Sequence, residues 1–108
     1  MATSMSSSLS LYLTPFCFFC QRVLFVANQL GIELQHIDLY DQPEAREDLL
    51  ALRGRTTVPV LRMNDAQGGV RFLPESHDII RALKSFSAQG GVPDTVPESW
   101  MQLPSAAS

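Results

Sequence analysis

Two cysteines, Cys17 and Cys20, are the residues of this chain best suited to chemistry, and they are its only cysteines. They lie between an apolar run, residues 9–13, and a segment whose apolar residues recur at helical spacing, so a strand is predicted to lead directly into a helix. A thiol at the start of a helix faces unpaired backbone N–H groups and the positive end of the helix dipole. Both favour the thiolate, the reactive form of cysteine. This spacing in this position predicts a redox motif.

The two cysteines are expected to have different roles. Cys17 comes first and would be the nucleophile, whereas Cys20 lies one turn further into the helix, is more buried, and would resolve a mixed disulfide formed on Cys17. The alternatives are a pair of ordinary buried cysteines or half of a zinc site. Zinc normally takes four ligands, and the two histidines, His36 and His77, do not show zinc-finger spacing. The redox interpretation is therefore preferred.

Composition limits the classes of function. The chain has 108 residues, a net charge of −3 and one lysine, which predicts one domain without the basic stripe that nucleic acid requires. No apolar run approaches the ~20 residues of a membrane span. Residues 1–8 lack the basic and apolar parts of a secretory signal and are predicted to be a flexible leader, with Met5 as an alternative start. We expect a cytoplasmic, reducing location, where a disulfide is catalytic rather than structural.

The pattern along the chain predicts an α/β fold of order βαβαββα, with a four-stranded mixed sheet flanked by helices. A helix joins the first two strands, which are therefore expected to be parallel, and a polar turn joins the last two as a hairpin. Residues 88–108 are rich in Gly and Pro and are predicted to be a loose tail, in which only Trp100 could dock. The predicted strands are 9–13, 32–39, 58–63 and 70–73, the predicted helices are 17–30, 43–53 and 74–86, and the domain is 9–87.

Three segments together resemble a known family. Residues 12–23, which contain the cysteine pair, resemble a glutaredoxin active site. Residues 54–59, Gly-Arg-Thr-Thr-Val-Pro, resemble the loop that carries the cis-proline of that family. Residues 74–79, Pro-Glu-Ser-His-Asp-Ile, resemble the Glu-Ser element of glutathione-transferase-like glutaredoxins and of transferase N-terminal domains. The resemblance covers residues 9–86 and implies a thioredoxin-like fold.

This resemblance implies glutathione as cosubstrate and a set of residues that bind it. An extended Val58 would pair with the glutathione backbone as an added strand does, beside a cis Pro59. Ser76 and the start of its helix would bind the γ-glutamyl carboxylate, Glu75 the free amine, and Arg55 a carboxylate. The glutathione-binding residues implied in this way are Thr14, Phe19, Arg55, Thr57, Val58, Pro59, Glu75 and Ser76.

Three of these residues also have a simpler explanation. Pro59 could merely start an edge strand, and Ser76 could be a helix N-cap. Arg55 could be a solvated surface residue. Phe16, with its neighbours, could flank the ligand or belong to the core, whereas His77 is expected at the surface.

Two departures from the glutaredoxin pattern affect the expected chemistry. Phe18 occupies the place of a proline between the cysteines, and its restored N–H is expected to point at the Cys17 thiolate. Some family members without that proline hold a [2Fe-2S] cluster between two subunits, so Cys17 could instead be a cluster ligand. Thr14 replaces a common lysine, which predicts weaker glutathione binding or a less stabilised Cys17 thiolate.

The resemblance therefore implies a glutathione-dependent thiol–disulfide oxidoreductase, a monomer that reduces protein–glutathione mixed disulfides and protein disulfides. One alternative is a carrier of a glutathione-ligated [2Fe-2S] cluster. Another is a transferase-like conjugating enzyme, which is less favoured because the sequence shows no helical second domain.

Overall fold

A computed structural model describes residues 7–103 of the chain. Its two longest helices have 13 residues each, and within this range no helix has both the length and the apolar character that crossing a membrane requires. The elements are, in order, β1 (Ser8–Leu13), α1 (Phe18–Leu30), β2 (Gln35–Asp38), α2 (Ala45–Arg53), β3 (Val60–Asn64), β4 (Val70–Pro74) and α3 (Ser76–Ala88).

The four strands form one mixed sheet in the order β2-β1-β3-β4. Strand β1 is parallel to β2 and antiparallel to β3, and β3 is antiparallel to β4. The helical crossover between β1 and β2 and the hairpin between β3 and β4 are thus both confirmed. This topology is the predicted thioredoxin-like α/β fold.

The ends of several elements differ from the sequence prediction. Strand β1 includes Ser8, which pairs with Asn64, so the predicted leader contributes to the sheet. Strand β2 is only four residues long, and its last residue, Asp38, pairs with the last residue of β1, Leu13. Helix α2 begins at Ala45, since Pro43 forms a preceding turn in which its carbonyl accepts the N–H of Arg46 at 3.0 Å.

Both faces of the sheet are covered. Side chains alternate along a strand, so Leu9 and Leu11 of β1 belong to the core under α1 and α3. Tyr12 faces the opposite way, into the core under α2, together with Leu49 and Phe72. The phenol of Tyr12 donates a hydrogen bond to the Asp48 carboxylate at 2.7 Å, so the one polar group among these three side chains is satisfied. The loops that follow and precede these strands carry the candidate site residues.

The predicted loose tail is docked over part of its length. Met101 exchanges two backbone hydrogen bonds of 2.8 Å with Phe72 of the edge strand β4, and Trp100 is buried beside Phe86. The Asp65 carboxylate accepts the N–H of Val96 at 3.0 Å. This bond is the main cause of the lowered pKa of Asp65. Hydrogen bonds from the N–H groups of Gly69 and Gln67 in the turn lower the pKa further. An edge strand has unpaired backbone groups to which such a segment can bind. The Gly and Pro content of the tail predicts a loose segment because it does not report this pairing.

Docking of Trp100 predicts a large effect on stability. Trp100→Ala should lower the free energy of unfolding by roughly 3 kcal/mol or more, as expected for a buried aromatic residue. Leu103→Ala, at a half-exposed position in the same segment, is the control and should change it by no more than about 0.5 kcal/mol. Urea denaturation followed by far-UV circular dichroism measures both. Equal, small effects would mean that the domain ends near residue 87 and that the tail is loose.

Candidate active site

Cys17 is the N-cap of helix α1. Its backbone is extended, with φ −87° and ψ 111°, and its Sγ accepts a hydrogen bond from the N–H of Cys20 at 3.0 Å. The sulfur thus takes the place of the oxygen that an N-cap serine or aspartate provides. An amide donor and the helix dipole both stabilise negative charge there, so the geometry suits a thiolate.

The N–H that contacts the sulfur belongs to Cys20 and not to Phe18, contrary to the sequence prediction. An N-cap side chain reaches the second or third helical residue, and Phe18 is the first residue of α1. The Phe18 ring is 73% exposed and contacts Phe19 edge-on, with 5.8 Å between ring centroids. Phe16 is 89% exposed, so it does not belong to the core.

Cys20 is the inaccessible member of the pair. It is fully buried in the core between α1 and the sheet, whereas Cys17 is partly exposed and both thiols are free. Burial first, and a hydrogen bond to Cys17 second, raise the pKa of the Cys20 thiol to about 12. Cys20 therefore remains protonated near neutral pH and behaves as the second, protected thiol.

The loop before β3 lies beside the Cys17 sulfur. The peptide bond between Val58 and Pro59 is cis, as the resemblance implies, and Cys17 Sγ is 4.0 Å from the Val58 carbonyl oxygen. The two segments are 41 positions apart in sequence. They meet because β1 and β3 are neighbours, with Tyr12 opposite Val60, so the loops at that end of both strands are adjacent.

A cleft of about 280 Å³ opens at this loop, and we call it the cis-proline cleft. Seven of the eight residues implied as glutathione-binding line it. Thr14 is the exception: its carbonyl accepts the N–H of Cys17 at 3.3 Å, and its contact with a ligand remains a prediction. The lining residues of the cis-proline cleft are Phe19, Arg53, Arg55, Thr57, Val58, Pro59, Glu75 and Ser76.

Glu75 has an unusual backbone at the edge of this cleft. Its φ of 77° makes it the one non-glycine residue with positive φ among residues 7–103, a conformation that side chains rarely adopt and that is often found at functional sites. Glu75 occupies the N-cap position of α3 but makes no side-chain cap. Ser76 is the first helical residue, so the alternative in which Ser76 is the N-cap is wrong. The first N–H groups of α3 consequently lack a side-chain cap.

Arg53 is a residue of the cleft that the sequence analysis missed. Its guanidinium donates to the Glu75 carboxylate at 3.0 Å, and its side chain is mostly buried. Gly54 ends α2 in a left-handed conformation, φ 75°, and the residues on either side of it, Arg53 and Arg55, line the same cleft. The signal in the sequence is a second arginine two positions before Arg55, at the end of the predicted helix 43–53.

The cleft combines both signs of charge in a small volume. Two guanidinium groups, of Arg53 and Arg55, and one carboxylate, of Glu75, line it. A ligand that carries carboxylates and an ammonium group would find partners for all of them. As for metals, no group of three or more His, Cys, Asp or Glu side chains within residues 7–103 is arranged to hold an ion.

Residues 11–89 match the family described as glutathione S-transferase, N-terminal domain. The chain belongs to this family. The Glu-Ser element at Glu75 and Ser76 thus indicated the family more accurately than the cysteine motif, which resembled glutaredoxins. No curated protein matches the chain.

Solved structures with the same fold include glutathione-dependent enzymes. Maleylacetoacetate isomerase from Anaeromyxobacter dehalogenans, with glutathione bound in its active site, has 25% identity and a TM-score of 0.57 over 82% of this chain and 43% of the isomerase. A trimeric glutathione transferase from Leishmania has 28% identity and a TM-score of 0.52, over 72% of this chain and 17% of that chain. An omega transferase from Trametes versicolor, at 15% identity, shows the fold alone, with a TM-score of 0.63 over 84% of this chain and 42% of that one. This chain thus spans less than half the length of each.

The contrast between the thiols predicts selective alkylation. With iodoacetamide between pH 7 and 9, the native protein should take up one label, on Cys17, because Cys20 is buried and its pKa is raised to about 12. In urea both thiols should react. Mass spectrometry counts the labels and locates them.

Cys20→Ser should be labelled as fast as the unaltered chain, and Cys17→Ser should stay unlabelled until it unfolds. Rapid labelling of native Cys17→Ser would contradict the assigned burial of Cys20.

Proposed function

We propose that this protein is a glutathione-dependent thiol–disulfide oxidoreductase that uses Cys17 as its nucleophile and holds glutathione in the cis-proline cleft. One observation carries the proposal. The Cys17 sulfur accepts the Cys20 N–H at 3.0 Å and lies 4.0 Å from the carbonyl of Val58, and Val58 is part of the cleft wall. A sulfur that accepts a backbone N–H at a helix start therefore lies beside a cleft lined by both signs of charge.

The charges of the cis-proline cleft match those of glutathione, which has two carboxylates and one amine. Arg53 or Arg55 would bind the glycyl carboxylate, while the uncapped start of α3 and the Ser76 hydroxyl would bind the γ-glutamyl carboxylate. Glu75 would accept a hydrogen bond from the amine. Membership of the transferase N-terminal domain family and the glutathione bound to the isomerase of 25% identity support this assignment.

The first chemical step is thiol–disulfide exchange. The Cys17 thiolate attacks the glutathione sulfur of a protein–glutathione mixed disulfide, forming a new S–S bond while the old one breaks. The protein sulfur leaves as a thiolate and takes a proton from solvent. The substrate protein is then reduced, and Cys17 carries the glutathione.

The second step regenerates Cys17. A free glutathione, as thiolate, attacks the glutathione sulfur of this mixed disulfide, so that oxidised glutathione forms and Cys17 leaves as a thiolate. Glutathione is the reductant of the cycle, and Cys20 is not required. For a protein disulfide, the Cys17 thiolate would attack one of its sulfurs and release the other as a thiolate. The Cys20 thiol would then lose its proton to solvent and attack the Cys17 sulfur of this mixed disulfide, so that the second protein sulfur leaves as a thiolate. Two glutathiones would reduce the resulting Cys17–Cys20 disulfide and leave as oxidised glutathione.

A second candidate, conjugation of glutathione to an electrophile, is favoured by the family match. In that reaction the glutathione sulfur is itself the nucleophile and Cys17 forms no bond. Conjugation of 1-chloro-2,4-dinitrobenzene that survives Cys17→Ser would support this candidate over the oxidoreductase.

Substitution of each cysteine tests the proposed chemistry. Cys17→Ser should slow release of glutathione from a glutathionylated peptide at least about a hundredfold, because the covalent nucleophile is lost. Cys20→Ser is the matched control and should retain most of the activity. Release is measured through oxidised glutathione, coupled to glutathione reductase.

Equal loss in the two variants would overturn the cycle that needs only Cys17.

Anaerobic reconstitution with iron, sulfide and glutathione tests the cluster carrier. A dimer with visible charge-transfer absorption that depends on Cys17 would favour the carrier over the oxidoreductase.

A further inference from the structure

A second cleft, of about 430 Å³, lies between α1 and α3, and we call it the basic cleft. Its lining combines cationic side chains with apolar ones. The residues that line it are Phe19, Arg22, Ser76, His77, Ile80, Arg81 and Lys84.

Positive charge is concentrated here although the whole chain has a net charge of −3. Arg22, Arg81 and Lys84 supply three of its eight lysines and arginines. Within residues 7–103 the only ion pair joins Arg53 to Glu75, so none of these three cations has a carboxylate within ion-pair distance. Asp78 also lies on α3; it is outside the lining of the basic cleft and shares a different cleft, beside the docked tail, with Arg81. Among the described residues that line the basic cleft, no acidic side chain matches the cations.

The basic cleft and the cis-proline cleft are adjacent. Phe19 and Ser76 line both of them, and Phe19, which is half-exposed, follows Cys17 by two residues. A longer chain joined to a molecule in the cis-proline cleft could therefore pass over Phe19 and reach the residues of the basic cleft.

We propose that the basic cleft binds an acidic segment of the protein substrate, so that glutathionylated proteins with carboxylates near the modified cysteine are preferred. This inference rests on the proposed function for the link to glutathione. Charge complementarity favours a polyanionic partner. The apolar side chains of Phe19 and Ile80 in the lining favour a peptide over a small inorganic anion. Glutathione occupies the adjoining cleft, which leaves this one for the segment attached to it.

Binding without chemistry is the first test. The probe is a fluorescein-labelled peptide with four glutamates and a phenylalanine around a serine in place of cysteine, compared with the same peptide carrying glutamines. At low salt the acidic peptide should bind about tenfold more tightly, and 0.5 M NaCl should remove the difference because the charges are exposed and screened. Fluorescence anisotropy measures both affinities.

Two charge-reversal variants locate the site. Lys84→Glu should abolish the preference for the acidic peptide. Arg46→Glu changes the net charge equally at an exposed position of α2 outside both clefts and should keep the preference. Equal affinities for the two peptides, or equal losses in the two variants, would overturn the inference, since only general electrostatic attraction would then be present.

Kinetics on the glutathionylated forms of the same peptides separate this inference from the proposed function. We expect kcat/KM for glutathione release to be about tenfold higher for the acidic peptide at low salt, mainly through KM. Release with no preference would overturn the acidic-substrate inference and leave the oxidoreductase standing. Preferential binding in the absence of any release would overturn the oxidoreductase and leave the cleft as an acidic-peptide site.

Discussion

The hydrogen bond from the Cys20 N–H to the Cys17 sulfur is the interaction on which the candidate site depends. It makes the thiol the N-cap of α1, so the position of the sulfur is fixed by the helix itself rather than by a flexible side chain. Cys20 is the third residue of α1 and lies in the core. The bond therefore joins the partly exposed cysteine to the buried one.

The sheet gives this thiol its surroundings. Because β1 pairs with β3, the turn before α1 and the loop before β3 emerge side by side, and the cis Pro59 lies next to the helix start. Strand β4 then leads through the positive φ of Glu75 into α3. Three segments that are distant in sequence thereby form one cleft, and the Arg53–Glu75 ion pair joins α2 to the start of α3 across it.

The two clefts are expected to bind different parts of a substrate. The cis-proline cleft is small and carries both signs of charge, which suits a compact zwitterionic peptide. The basic cleft is larger and lacks acidic lining residues among those described. Phe19 lines both clefts, and the neighbouring Phe18 is mostly exposed, so exposed aromatic surface directly follows Cys17 in the chain.

The sequence by itself determined the order of elements, the reactive pair and most of the cleft. Local spacing is sufficient to predict these features. The apolar run Leu9–Leu13 followed by the cysteines indicates a helix that starts after a strand, and the motif at residues 54–59 indicates the cis-proline loop. Tertiary structure alone decided that Arg53 joins the cleft, that Cys20 rather than Phe18 donates to the sulfur, and that Trp100 docks. Each of these depends on which surfaces the sheet and helices bring together: β4 is an edge strand that accepts the tail, and Gly54 turns the chain between two arginines. Periodicity along a chain reports what is local, whereas contacts between distant segments are fixed only when the chain packs.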